Sequence, residues 1–154
     1  MFADLAELNV TAIAVAPGGE LFASTAPDGK VYRIDQTGRS SVYFDPKEKY
    51  IWALAVMDDG SLVVGTGESG KLYRVRGANA NPSSSVIFDS IDSHIISLAI
   101  DRNGVLYAGT DPGGVVLRFG ADGSAFAVLD SPLREIHEIA AGVDGSVYVL
   151  ALGE

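Results

Sequence analysis

The chain contains two histidines, His94 and His137. Imidazole is the side chain suited to proton transfer near neutrality, so histidine acid–base chemistry must use one of them. His94 stands at the same point of an internal repeat as Tyr50 and Glu135. All three come just before an apolar run, where they are expected to share one rim, a candidate ligand-binding site. His137 stands inside such a run, level with Trp52 and Ile96, where a packed core role is expected. One imidazole beside one carboxylate can move a proton. A hydrolase or metal enzyme would need a nucleophile or ligand set as well, so no catalytic residue, metal or cofactor is assigned.

Two further patterns resemble chemical motifs and are better explained as turns. Gly65-Thr-Gly67-Glu-Ser-Gly70-Lys71 fits a dinucleotide fingerprint and most of a phosphate loop. Both need a following helix, and the phosphate loop needs Ser or Thr after its Lys. Here Leu72 follows, then an apolar strand pattern. The Asp-Gly pairs at Asp59-Gly60 and Asp144-Gly145 lack the density of oxygen ligands that a calcium loop requires.

The elements that carry these residues repeat. Gly19, Gly60, Gly104 and Gly145 are spaced 41, 44 and 41 residues apart, and Arg33, Arg74 and Arg118 keep the 41 and 44 spacing. Each unit reads as four strands. The first is apolar and rich in small residues: Val10–Val15, Ile51–Val56, Ile95–Ile100 and Ile136–Ala141. Near-continuous apolarity predicts cover on both faces. Gly18-Gly19, Asp59-Gly60, Asn103-Gly104 and Asp144-Gly145 then predict two-residue hairpins with glycine at positive φ. The third strand follows Gly29, Gly70 or Gly114. The fourth (Val42–Phe44, Val86–Phe88, Ala127–Leu129) ends in Asp45, Asp89 or Asp130. Recurrent Arg33, Arg74 and Arg118, with those aspartates, read as cross-strand or blade-edge pairs. The segment 77–85 carries the extra residues and reads as a surface loop.

Four-strand units repeating about every 40–45 residues define a β-propeller. The expected architecture is all-β: a partial β-propeller of four-stranded antiparallel blades. The blades span approximately 9–45, 50–89 and 94–130, with a half-blade at 135–151. Its first strands surround a channel, with Tyr50, His94 and Glu135 at one mouth.

Composition bounds the partners. The 20 acidic and 11 basic residues give a net charge of −9, which argues against a phosphate backbone as partner. No apolar run reaches the ~18 residues needed to cross a bilayer, so no membrane partner is expected. Met1–Glu7 lacks the basic region of a signal peptide. Cysteine is absent, so thiol chemistry and disulfides are excluded.

The patterns Leu54-Ala55-Val56, Asp59-Gly60, Leu62-Val-Val-Gly-Thr66 and Gly29-Lys-Val-Tyr-Arg-Ile34 resemble propeller repeats of the NHL and YVTN group. They resemble especially the long arrays of bacterial propeller proteins, many of them exported. The Trp-Asp and Gly-His signatures of WD repeats are absent. The resemblance implies the fold and is nearly silent on activity; the expected function is a non-enzymatic binding or scaffold module for a protein or small-molecule ligand. The alternative is a propeller enzyme of lactonase or lyase type, with its site at the channel mouth. Three and a half blades also imply a piece of a longer propeller, or self-association that closes the ring.

Overall fold

The computed structural model describes residues 3–5, 9–77 and 82–153. Part of the expected 77–85 loop and most of Met1–Glu7 therefore lie outside the described residues. The described residues form strands and no helix. The first blade comprises β1 (Asn9–Val15), β2 (Leu21–Ala26), β3 (Gly29–Ile34) and β4 (Ser40–Glu48). The second comprises β5 (Ile51–Val56), β6 (Leu62–Thr66), β7 (Lys71–Arg76) and β8 (Ser83–Asp89). The third comprises β9 (His94–Ile100), β10 (Leu106–Asp111), β11 (Val115–Phe119) and β12 (Ala125–Asp130). A two-stranded sheet, β13 (Glu135–Ala141) with β14 (Val147–Leu152), follows. Strands within each sheet pair antiparallel in chain order.

Blades pack face to face. Ile51, Leu62, Val64 and Val75 of the second blade bury against Phe22, Val31, Tyr43 and Phe44 of the first. Ile95, Leu106 and Phe119 of the third bury against Val63 and Leu72 of the second. Ile136 and Ile139 bury against Ala99, Tyr107 and Val116. The first strands stand beside one another, β1 against β5, β5 against β9 and β9 against β13. The inner first strands are covered from both sides, as continuous apolarity suggested: in β5, Ile51, Leu54 and Val56 pack in the core shared with the first blade, Ala53 and Ala55 are buried, and Trp52 borders the channel.

One expectation about turns needs correction. Gly19, Gly60, Gly104 and Gly145 do have positive φ, 83°, 77°, 76° and 88°. Their hairpins, however, have three-residue loops. Met57 N–H donates to Ser61 C=O at 2.8 Å while Gly60 N–H donates to Met57 C=O at 2.8 Å. That is a type I turn closed by a glycine in the left-handed region, a loop that also matches strand twist. Two of the repeated arginines, Arg33 and Arg74, pair at these hairpins. Arg74 Nη2 donates to Asp59 Oδ2 at 2.8 Å, and Arg33 pairs with Glu20. The second hairpin of each blade hangs on a buried threonine, whose Oγ1 accepts from Lys30 N–H, Lys71 N–H or Val115 N–H. The 65–71 segment is such a hairpin, with no helix after it.

Candidate active site at the channel mouth

Every first strand carries a β-bulge at the same repeat position. The pairing register slips between Val10 and Ala12, between Ile51 and Ala53, opposite Ile95 and Ser97, and between Ile136 and Glu138. The residues skipped are Thr11, Trp52, Ile96 and His137. A bulge leaves its extra residue unpaired and re-aims the side chain. All four border one cavity of about 760 Å³ in the open channel. His94, Asp111, Glu135 and Glu138 border it too.

This placement corrects the core role expected for His137. Its side chain is 54% exposed, because the bulge turns it out of the packed face. Of the expected rim residues, His94 and Glu135 border the cavity. Tyr50 is not among its lining residues. It stacks on Trp52, with ring centroids 5.0 Å apart and planes 12° apart.

The two imidazoles are held in opposite ways. His137 Nδ1 lies 2.7 Å from Glu135 Oε1. A carboxylate can only accept here, so Nδ1 carries a hydrogen, and in the neutral ring Nε2 offers a lone pair. That is the base-and-orienter relation used by nucleophile-activating histidines. His94 Nδ1 instead accepts from the Trp52 indole N–H at 3.3 Å and from the Glu68 backbone N–H at 3.2 Å. With both donors on Nδ1, the neutral ring carries its hydrogen on Nε2 and presents a donor.

The loop after β6 is shaped for this. A Cβ on Gly67 would stand 2.3 Å from Trp52 Nε1 and 2.8 Å from His94 Nδ1, so only glycine lets the loop approach. Beside it, Lys49 Nζ donates to Glu68 Oε1 at 2.8 Å and lies 4.9 Å from the Tyr50 ring centroid. The hydrogen bond to Glu68 holds the Lys49 ammonium above its ordinary range. At the other side Arg134 Nε donates to Asp111 Oδ1 at 3.1 Å, tempering one of the cavity's carboxylates.

Sequence reasoning missed Trp52, Asp111 and Glu138. A signal for Glu138 was present. The repeat has Ala12, Ala53 and Ser97 where the half-blade has Glu138, and Thr11, Trp52 and Ile96 where it has His137. Polar replacements clustered in one copy mark where repeat symmetry gives way to chemistry.

No family model and no curated protein matches the chain. Solved structures do. Regucalcin from Agrobacterium tumefaciens, described as calcium-binding, is 21% identical with a TM-score of 0.80, over 97% of this chain and 56% of that one. A gluconolactonase from Xanthomonas campestris is 16% identical with a TM-score of 0.78, over 96% and 57%. A catalytically inactive His-to-Ala variant of virginiamycin B lyase from Staphylococcus aureus, with quinupristin, is 13% identical with a TM-score of 0.79, over 96% and 51%. This chain therefore spans about half the length of each. The expectation of a non-enzymatic scaffold is corrected by these likenesses. A lactonase and a lyase stand among them, and they favour the enzyme alternative. Among the described residues no group of three or more His, Asp or Glu is placed to hold a metal ion. At these identities the likeness establishes architecture, and on that ground the chain is a partial β-propeller.

Proposed function

We propose that this chain carries the acid–base centre of a propeller enzyme of lactonase or lyase type, with repeats of the NHL and YVTN kind. The observation that carries the reading is the pair of imidazoles held in opposite tautomers beside one cavity. His137, oriented by Glu135, is the base. His94, held by Trp52 and the Glu68 N–H, is the donor.

For a lactone, His137 Nε2 takes a proton from water as the water oxygen adds to the ring carbonyl carbon. The carbonyl electrons move to oxygen, which accepts a hydrogen bond from His94 Nε2–H. Collapse breaks the ring C–O bond, and the departing alkoxide takes the proton back from His137. For an elimination, the same base removes a proton next to a carbonyl, the same donor stabilises the oxygen that gains charge, and the bond from the next carbon to the leaving oxygen breaks as the C=C bond forms, with that oxygen taking the proton from His137. Both reactions need one base and one donor, which is why the geometry favours the pair of classes over either one alone.

The test is turnover of glucono-δ-lactone, followed by acid release, and of quinupristin, followed by mass spectrometry. We expect one of the two to be consumed, with His137→Ala slowing it by about 10²–10⁴-fold and His94→Gln by a similar factor. Wild-type protein inert to both compounds, or a His137→Ala variant with full turnover, would overturn the reading.

A further inference from the structure

We propose that the turn after β6 is a positioning element for His94, made by trading the turn proline of the neighbouring repeats for a backbone N–H. The inference rests on the reading of His94 as the hydrogen donor and adds the residues that hold it so. Each complete blade has the same turn after its buried threonine. It reads Thr25-Ala-Pro-Asp-Gly29 in the first, Thr66-Gly-Glu-Ser-Gly70 in the second and Thr110-Asp-Pro-Gly-Gly114 in the third. Proline has no N–H, so neither Pro27 nor Pro112 can donate from this position. Glu68 can, and its N–H reaches His94 Nδ1 at 3.2 Å, across the joint to the next blade.

The residue before it changes in the same sense. Ala26 and Asp111 carry a Cβ where the second blade has Gly67. A Cβ on Gly67 would stand between the Trp52 indole nitrogen and His94 Nδ1, at 2.3 Å and 2.8 Å, and would part the two rings. Trp52 is itself particular to the second blade, since the other bulges hold Thr11, Ile96 and His137. Departures from the repeat at Trp52, Gly67 and Glu68 thus converge on one nitrogen atom. A turn that only closed a hairpin would need none of them.

The turn is strained where it meets the ring. Glu68 has φ 64°, a left-handed conformation that suits Asn, Asp or Gly better than glutamate. The left-handed residue of the first blade's turn is Asp28, one position later and of a suited type. Such strain persists where the surroundings over-determine it. Here Lys49 Nζ donates to Glu68 Oε1 and lies over the Tyr50 ring. Tyr50 stacks on Trp52, and Trp52 donates to His94. The contacts begin and end on Glu68. Rotation of the ring, or a move of its hydrogen to Nδ1, would lose both bonds at once.

The test reads the ring itself, so it stands apart from turnover. The full chain, isotope-labelled in its histidine nitrogens, is followed by NMR at about pH 9, above the ordinary imidazole range. The His94 signals are those lost in His94→Gln. We expect wild type to carry the hydrogen on Nε2 alone. Trp52→Phe keeps a ring and loses the indole donor. Gly67→Ala/Glu68→Pro/Ser69→Asp writes the first blade's turn into the second. Each should move the ring shifts toward the tautomer mixture of a free histidine. Glu68→Asn keeps the N–H and suits the left-handed region, so the wild-type shifts should remain. Circular dichroism checks the fold, and Gly67→Ala alone repeats the test should the triple variant lose it. For whichever compound is consumed, Trp52→Phe should lower kcat by up to about 10²-fold with KM little changed. A wild-type ring with its hydrogen on Nδ1, shifts unaltered in both Trp52→Phe and the triple variant, or Glu68→Asn moving them as far as the triple variant does, would each overturn the proposal. The expected shifts with neither compound consumed would support the positioning and sink only the acid–base reading.

Discussion

Tyr107 and Tyr148 occupy the same position of successive repeats, 41 residues apart. Tyr107 is 8% exposed beneath β13, and Tyr148 is 63% exposed. The third blade and the half-blade share a first strand, a bulge and a glycine turn. They differ in what lies against the rear face and in what lines the channel. In the third blade the rear face fixes its residues, with Gly109 having no space for a side chain. In the half-blade Leu150 stands at that position and is 50% exposed. The channel side shows a related contrast, with Ile96 and Ser97 in one blade and His137 and Glu138 in the other. Packing between blades holds the repeat to its pattern at Gly109, and the channel side departs from it where His137 and Glu138 replace Ile96 and Ser97.

The widest separation between the two regions is expected at the glycine position. Gly109→Val would drive its Cβ to 2.3 Å from Ser97 Oγ and 2.7 Å from Ile136 Cβ, which forces the joint open. Overpacking of this kind costs typically about 1–3 kcal/mol, and more where backbone must move. Leu150→Val, at the equivalent exposed site, should cost less than about 0.5 kcal/mol in the isolated chain. Urea midpoints for the two variants measure the gap, and equal losses would remove the joint as its cause. Next in size is the first-strand isoleucine. Ile95→Ala empties a fully buried site and should cost about 2–5 kcal/mol. Val10→Ala, half exposed, should cost less than about 1 kcal/mol. Equal losses for Val10→Ala and Ile95→Ala would mean that burial under a neighbouring blade is not what separates the two sites.

The same contrast explains what the sequence disclosed. Strands, blade order and turn glycines were legible because Gly60, Thr66 and Arg74 each answer a local demand: positive φ, a hairpin clamp, a hairpin salt bridge. Such demands recur with the repeat and show as spacing. The site was legible only in part. His94 and Glu135 were placed at the mouth by alignment alone. The pattern puts His137 in the core, because a bulge is not visible in hydrophobicity and moves one residue from the packed face to the channel. Trp52 escapes notice for the same reason. The His94 tautomer depends on the Glu68 N–H, whose partner lies 26 residues along the chain and is set only by the fold.

A smaller effect tests a feature that the two regions share. Gly60→Val places a β-branched side chain at φ 77° in the second blade, and Gly145→Val does the same at φ 88° in the half-blade. The left-handed region costs an L-residue roughly 1–2 kcal/mol. A Cβ at either glycine would meet no atom within 4 Å, so backbone strain is the whole penalty. The two losses should therefore agree, and both should exceed that of Ser83→Val. A loss at Gly60 and none at Gly145, in melting temperature, would show that the half-blade turn is not held in the native ensemble.

The smallest expected difference lies in acid. Asp59 and Asp144 accept the same bonds from the serine two residues on, Ser61 N–H and Ser146 N–H each at 3.0 Å. The serine hydroxyl, then the backbone N–H, holds each carboxyl below its ordinary value of 3.8. Arg74 adds to the effect at Asp59 and has no counterpart among the causes at Asp144. A carboxyl with a depressed folded pKa binds fewer protons in the native state than in the unfolded one across that window. Its stabilisation is therefore complete above the unfolded value near 4 and is lost as pH falls through the folded value. Asp59 is half exposed, so solvent screening limits its share to about 1 kcal/mol or less. We expect Asp59→Asn to lower the urea midpoint at pH 7 and to approach wild type at pH 3. Asp144→Asn should follow the same course with a smaller gap at pH 7. A gap at Asp59 that persists unchanged at pH 3 would mean the turn and not its charge is responsible. A larger gap at Asp144 than at Asp59 would mean that the Arg74 pair adds nothing, and the half-blade turn would then be the more tightly held of the two.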